Sequence, residues 1–312
     1  MSSLLTNVAA RTALQTLTLT NQKLDITQSR VSTGMRVATA MDNAAYWSIA
    51  TTMRSDSAAL STVEDALGLG SATVDVMYTA METAINLVSE IKKKLVAARE
   101  PGVDKTKVQT EITELQRELN GIATASVFSG ENWLLVNSSA TGYNPTKQVV
   151  ASFSRSGGVI NIGTISLNIN SIKLYDSSTT VDGTIDGTRN SAGALSTTGT
   201  LASVGSLSIA ALTDSAADVL TLESYMAGAD AALAEMTSAA TSLGAVQARL
   251  TLQKNFIASL MEAIDQGIGQ LVDADMNEES TKLQALQVQA QLGIQSLSIA
   301  NQNSQNILTL FQ

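Results

Sequence analysis

The residues with the plainest chemical potential are carboxylates near the end of the chain. Asp273, Asp275 and Asn277 alternate as the first ligands of a calcium loop do, but the sixth position is Glu278 rather than glycine and the twelfth is Gln284 rather than a bidentate glutamate. The stretch therefore reads as a solvated helical segment. Gly68-Leu69-Gly70 and Gly267-Ile268-Gly269 lack the third glycine of a phosphate loop and lie inside helical patterns, which points to close helix approach or local bending. Lys92-Lys93-Lys94 reads as a solvated helix face. Asn137-Ser138-Ser139 fits a glycosylation sequon, a pattern common by chance. The sequence contains neither His nor Cys, which removes His general bases, Ser-His and Cys nucleophile systems and the usual zinc sites. No catalytic, cofactor-binding or metal-binding residue is assigned, and the chain reads as a non-enzyme without cofactor.

The elements that would have to position any such chemistry are helical. Of 312 residues, 44% are hydrophobic but only 4% aromatic, so burial must come from Ala, Val, Leu, Ile and Met, a palette suited to closely packed helices. Two prolines in the whole sequence agree with long uninterrupted helices. The net charge of −9 argues against a nucleic-acid partner or an anionic membrane. The first residues carry no basic region followed by an apolar run, and no 18 consecutive apolar residues occur, so neither a cleavable secretory signal nor membrane insertion is expected. The lack of Cys excludes a disulfide-stapled fold.

The strongest periodic signal begins at Tyr46, Ile49 and Met53. It continues with alternating steps of three and four through Leu60, Val63, Leu67, Val74, Met77, Val88, Ile91 and Leu95, broken by Asp56 and Gly70. Glu100-Pro101-Gly102 stops it, and a second run carries Val108, Ile112, Leu115, Leu119 and Ile122. A third runs from Val219 and Leu222 through Leu243, Gln247, Leu250, Lys254 and Ile257 to Leu271. Three helices with one period are expected to wrap into one bundle.

From Ser138 to Thr213 the pattern changes. About half of this stretch is Ser, Thr, Gly and Asn, and period-two patches (Ile165, Leu167, Ile169, then Ile172, Leu174) predict short strands and turns. Without heptads, such an insertion has no evident means of joining a helical assembly and is expected on its exterior. The two ends differ again. From Leu283 to Gln312 there is no charge among thirty residues, and from Met1 to Leu24 only Arg11 and Lys23 are charged. Heptad spacing runs through Leu14, Leu17, Asn21, Leu24, Gln28, Val31 and Met35, and through Leu283, Leu286, Ala290, Ile294, Leu297, Asn301, Ser304, Leu308 and Phe311. Uncharged helices, mildly apolar all round, have no preferred water-facing side and are expected to be buried in an assembly.

The two ends together strongly resemble bacterial flagellin. The match runs through Thr6-Asn7, Ala13-Leu14, Asn21, the stretch Arg30-Val31-Ser32-Thr33-Gly34-Met35-Arg36-Val37 and Asp42-Asn43-Ala44-Ala45. At the other end it runs through Leu243-Gly244-Ala245-Val246-Gln247-Ala248-Arg249-Leu250, Asp273 to Glu278, and Ala300 to Leu310. Departures from the family pattern are Asn43 for an Asp, and Tyr46-Trp47 where Gly-Leu is usual.

The resemblance implies a mainly α fold: a long heptad-repeat helical bundle with paired terminal coiled-coil helices and a small β-rich insertion. It implies residues 1–41 with 272–312 as an inner-tube domain, 42–137 with 216–271 as an outer-tube bundle, and 138–215 as a variable exterior domain. Leu14, Leu17, Asn21, Leu24, Val31, Leu286, Ile294, Leu297, Asn301, Leu308 and Phe311 then become the polymerisation seam. Leu60, Val63, Leu67, Val74, Met77, Val88, Ile91, Leu95, Leu243, Arg249 and Leu250 become outer-tube packing. The implied protein is an extracellular filament subunit that self-assembles and can co-assemble with other flagellins. It would leave the cell unfolded through the flagellar type III apparatus, with an export chaperone on its C-terminal helix and with filament cap and hook-filament junction proteins as partners. Two alternatives share parts of the pattern: the flagellin-like junction protein, which has similar terminal helices, and a coiled-coil surface adhesin, which explains the heptads but not the matched uncharged ends.

Overall fold

The computed structural model describes residues 7–156, 159–178, 183–195 and 202–309, the last seven of these by backbone alone. Five helices carry most of the described chain: α1 (Val8–Thr33), α2 (Ala44–Ala97), α3 (Lys105–Ala125), α4 (Ala216–Val272) and α5 (Met276–Thr309). Short polar side chains start them by accepting from first-turn amides. Asn7 Oδ1 accepts from Ala10 N at 3.0 Å, Asn43 Oδ1 from Ala45 N and Tyr46 N, and Asp104 Oδ1 from Thr106 N. Asn43, a departure from the family pattern, thus performs the capping its Asp would. Gly34 ends α1 at φ +71°, donating its N–H to Arg30 O at 2.8 Å, a left-handed position where a Cβ is costly. Met35, expected in the helical seam, therefore lies beyond the helix. Asp275 caps α5 by accepting from Asn277 N and Glu278 N, so the calcium-like stretch is the break between α4 and α5 rather than a helical segment.

The chain divides into two compact units, Met1–Ala58 with Leu260–Gln312 and Ala59–Ser259. In the first, α1 and α5 lie antiparallel. Asn7 Nδ2 donates to Ala300 O at 2.9 Å near one end, and Arg30 Nη1 to Glu279 Oε1 at 3.1 Å near the other. The segment after Gly34 is stitched to the α4–α5 break: Arg36 N and Val37 N donate to Val272 O at 2.7 and 3.2 Å, and Ala274 N to Gly34 O at 2.9 Å. A small core of Val37, Ala50, Ile268 and Val272 fills this corner, flanked by Met35, Met53, Ile264 and Leu271. Tyr46 and Ile49 are exposed, so the inward face of α2 begins at Ala50 and Met53 instead.

In the second unit, the α2 seam from Leu60 to Leu95 is buried, facing Ile112 and Leu119 of α3 and Leu222, Met236, Leu243, Leu250 and Ile257 of α4 among the core residues. The side-chain amide of Gln247 donates to Asp75, Lys92 pairs with Asp230, and Lys94 pairs with Glu111 at 2.5 Å, which sets α2 antiparallel to both α4 and α3. Each large apolar side chain so buried is worth roughly 1.5–3 kcal/mol, against at most about 1 kcal/mol for an exposed ion pair, so the seam and not its charged rim holds the bundle. Lys254, expected at a seam position, is exposed, and Gln253 takes the inner place.

The insertion folds as two small pairs of strands. β1 (Leu135–Val136) runs parallel to β4 (Tyr175–Asp176), and β2 (Thr146–Ser156) runs antiparallel to β3 (Val159–Asn168) with Thr146 opposite Asn168 and a bulge between Val150 and Ser152. Ile165 and Leu167 point inward as their alternation predicts, but Ile169 opens a 3-10 turn, Ile169–Ser171, instead of extending the strand. Ile172 and Leu174 are fully buried in the connection to β4.

Within its own chain the insertion is tied to the helices by hydrogen bonds. Gln116 Nε2 donates to Val204 O and Leu207 O at 3.0 and 3.2 Å, and Gln109 Oε1 accepts from Ile209 N at 2.8 Å, so two glutamines two turns apart on α3 hold one segment that turns at residues 204–206. Val149 of the hairpin occupies the space that a Cβ on Gly70 would need, which is why a glycine interrupts the α2 seam there. Asp176, fully buried, accepts from Lys173 Nζ at 2.8 Å and from Ser138 N and Ser178 N, while its own N–H donates to Asp186 Oδ2 at 2.8 Å. Burial pushes the Asp186 carboxyl above its ordinary pKa, and the neighbouring Asp176 charge adds to this against the opposing backbone donors.

Candidate functional site

The terminal helix pair is the part of the molecule whose surface is least complete. Its inward residues are Ala10, Ala13, Leu17, Thr20, Leu24, Thr27 and Val31 on α1, and Glu279, Leu283, Leu286, Ala290, Gly293, Leu297 and Ala300 on α5, both at alternating steps of three and four. This is the heptad geometry of a coiled coil built mostly from small side chains. Threonine is tolerated in the seam because its hydroxyl finds a local acceptor, as Thr20 Oγ1 does on Thr16 O at 2.9 Å.

Of the residues expected in the seam, Leu17, Leu24, Val31, Leu286 and Leu297 take inward positions. Leu14, Asn21, Ile294 and Asn301 do not: Leu14 is 54% exposed and Ile294 60%. The reason is that Thr20 and Thr27 occupy the steps that leucine spacing had given to Asn21 and Gln28, and Gly293 takes the place of Ile294 because Leu17 fills the space above it. The Leu308 side chain and Phe311 lie outside the described residues. In the bundle, Leu60, Val63, Leu67, Val74, Met77, Val88, Ile91, Leu95, Leu243 and Leu250 are all buried, but Arg249 is exposed, since one residue before Leu250 is about 100° round the helix.

The residues that leucine spacing missed lie on the backs of the two helices. Val8, Leu19 and Ile26 of α1 are each more than half exposed and, at about 100° per residue, fall within about 20° of one another on the side away from α5. Val288, Leu292 and Ile299 of α5 do the same within about 40° on the side away from α1. Each helix is thus apolar on two faces, one met within the chain and one open. A test for a second apolar stripe in each terminal helix finds these residues. Among the described residues no three carboxylates converge as metal ligands, and no described helix is long and apolar enough to cross a membrane.

Comparison with known proteins places both ends of the chain in one family. A family model described as the bacterial flagellin N-terminal helical region matches residues 4–138, and one described as the bacterial flagellin C-terminal helical region matches residues 226–311. Flagellin C of Rhizobium meliloti strain 1021 is 50% identical over 322 residues, covering the whole of both chains. Flagellin D of Rhizobium meliloti is 43% identical over 397 residues and a flagellin of Brucella melitensis biotype 1 is 41% identical over 313, again across all of each chain. The chain belongs to the bacterial flagellins, structural subunits of the extracellular flagellar filament, and is not an enzyme.

Proposed function

We propose that the α1–α5 pair is the polymerisation element of this flagellin and that its two open apolar stripes close against neighbouring copies. The observation that carries this reading is the back-to-back placement of Val8, Leu19 and Ile26 against Val288, Leu292 and Ile299, with no charge from Leu283 onward. Six such side chains, each worth roughly 1.5–3 kcal/mol when buried, supply on the order of 10 kcal/mol per subunit before the ordering cost of association. Large apolar side chains recurring on one open helix face, here spaced by Thr12, Gln15, Gln22 and Gln295, suit a contact with another helix that carries both apolar and amide groups. Residues 1–41 with 272–312 then form the inner layer of a tube, 42–137 with 216–271 the outer layer, and 138–215 its exterior.

A lining made by the uncharged, amide-rich stretch from Leu283 onward suits a channel that passes unfolded subunits, because fixed charges would hold oppositely charged stretches of the passenger. On the same reading the chain leaves the cell unfolded through the flagellar type III apparatus. An export chaperone covers the C-terminal helix before assembly, and cap and hook-filament junction proteins bound the growing polymer. Rhizobium meliloti has several proteins named flagellin among the relatives, which supports co-assembly with other flagellins. The test is seeded growth: purified protein added to short filament fragments and viewed by electron microscopy should lengthen them. Protein that stays monomeric at every concentration on competent seeds would refute the reading.

A further inference from the structure

The α1–α5 seam contains a registration problem. Leu17, Leu24 and Val31 repeat every seven residues, and the remaining inward residues of α1 are Ala and Thr, so sliding α1 along α5 by one heptad would again set apolar against small side chains. A sequence with so weak a preference is prone to alternative pairings unless particular contacts select one. Two contacts in the pair each guard against one slip: moving Leu24 over Gly293 takes Arg30 away from Glu279, and the opposite slip, which brings Lys23 to Glu279, leaves Ala10 over Gly293. Leu17 lies over Gly293, where an added Cβ would stand 3.1 Å from Leu17 Cδ1, so the knob and its hole are matched at that one step. Thirteen residues further along α1, the Arg30 guanidinium meets Glu279.

The ion pair is built at a cost. The Glu279 side chain is 6% exposed, Lys282 approaches its Oε1 only to 3.5 Å, and its buried Oε2 has no hydrogen-bond partner among the described residues. An apolar residue there would serve stability as well or better, since desolvating a carboxylate can outweigh its Coulombic gain. Polar groups kept at such positions in coiled coils select register and partner. We propose that Gly293 and the Arg30–Glu279 pair set the antiparallel register of α1 against α5, and with it which apolar residues the pair presents to neighbouring copies. The second half rests on the polymerisation reading above, while the first half stands on the helix pair alone.

Because the chain has no cysteine, one introduced pair reports one contact. Thr20→Cys with Ala290→Cys lies three residues along from the Leu17–Gly293 contact on each helix, Thr27→Cys with Ala290→Cys reports the slip that carries Leu24 over Gly293, and Ala13→Cys with Ala290→Cys reports the opposite slip. Oxidative cross-linking in the full chain, before and after seeded growth, separates intramolecular links from dimers by mass on denaturing gels. The in-register pair should link at least about tenfold more efficiently than either slipped pair. Glu279→Gln should raise linking of the Thr27 pair and Gly293→Leu that of the Ala13 pair, and the two changes together should bring both within about threefold of the in-register pair, whereas the exchange Arg30→Glu with Glu279→Arg should keep the parental preference. Glu279→Gln alone, a conservative change, should lower the preference while leaving the helical circular dichroism intact. Linking of either slipped pair equal to the in-register pair in the parent, or a preference unmoved by removing both contacts, would overturn the proposal. In-register linking in a chain that never polymerises would support the register and refute the polymerisation reading.

Discussion

Arg189, in the middle of the Ser- and Gly-rich insertion, is bound by Glu235 of α4 through both guanidinium arms, Nη2 to Oε2 at 3.0 Å and Nη1 to Oε1 at 3.4 Å. The same side chain donates to Gly193 O and Thr184 O and is only 1% exposed. Gly193 allows this closeness: at φ +84°, a Cβ there would stand 2.5 Å from Ala227 O on α4. The insertion is thereby latched to the helix that follows it. Glu235→Ala should cost about 2 kcal/mol by leaving a buried guanidinium without its anion, somewhat less than for a fully buried pair because Glu235 is partly open. Glu223→Ala, which removes only the exposed pair with Arg99, should cost less than about 0.5 kcal/mol. Urea unfolding of both variants decides between them, and equal losses would deny the latch.

Gly70 and Val149 compete for one space. Gly70→Ala gains about 1 kcal/mol of helix propensity but overlaps the valine, at a cost of about 1–3 kcal/mol. The substitution should therefore destabilise the parent. In a Val149→Ala background it should become neutral or stabilising, and thermal unfolding of the double-mutant cycle reads the change of sign.

Charge placed on the open stripes should separate folding from assembly. Ile26→Asp and Leu292→Asp alter exposed positions, so unfolding of the soluble protein should shift by no more than about 0.5 kcal/mol. The critical concentration for seeded growth should rise at least about tenfold, since a carboxylate closed into an apolar interface costs more than 1.4 kcal/mol. Leu17→Asp or Leu297→Asp acts one step earlier, opening the helix pair itself. Sedimentation of seeded mixtures measures the effect, and an unchanged critical concentration for both stripe variants would exclude these faces as contacts.

The pH response of the insertion has a definite sign. Burial raises Asp186 above its unfolded pKa, so the fold favours its neutral form, and the stability this group contributes is full below about pH 4 and lost as pH rises through the folded value. Asp42, Asp214 and Asp218 act oppositely: hydrogen bonds from Thr39, Lys105 and Thr213 hold them below their ordinary range, so their contribution fades as pH falls. Asp186→Asn isolates the first effect. It should stabilise the protein at pH 7, with a gain that shrinks to nothing below about pH 4. A difference independent of pH would show that Asp186 does not titrate across unfolding.

The bundle seam was readable because nearly every step from Leu60 to Leu95 carries a large aliphatic side chain, and burial follows size there. In the terminal pair leucine spacing points one position off the seam, to Leu14 and Asn21, since Ala, Thr and Gly hold much of the true seam and leucines appear on the outer faces as well. Glu279 escaped notice because a carboxylate reads as solvated until a partner from the other end of the chain is placed beside it. Arg189 is the extreme case. It sits in a stretch with no period, and its burial depends on an acid 46 residues later and on a left-handed turn at Gly193, neither of which leaves a local trace.

The most direct measurement is an electron cryomicroscopy map of the seeded polymer at side-chain resolution. The account predicts that Val8, Leu19 and Ile26, and likewise Val288, Leu292 and Ile299, contact residues of neighbouring copies while Leu17 stays over Gly293 within its own chain. Polymers in which both stripes face solvent, with subunits joined elsewhere, would contradict it.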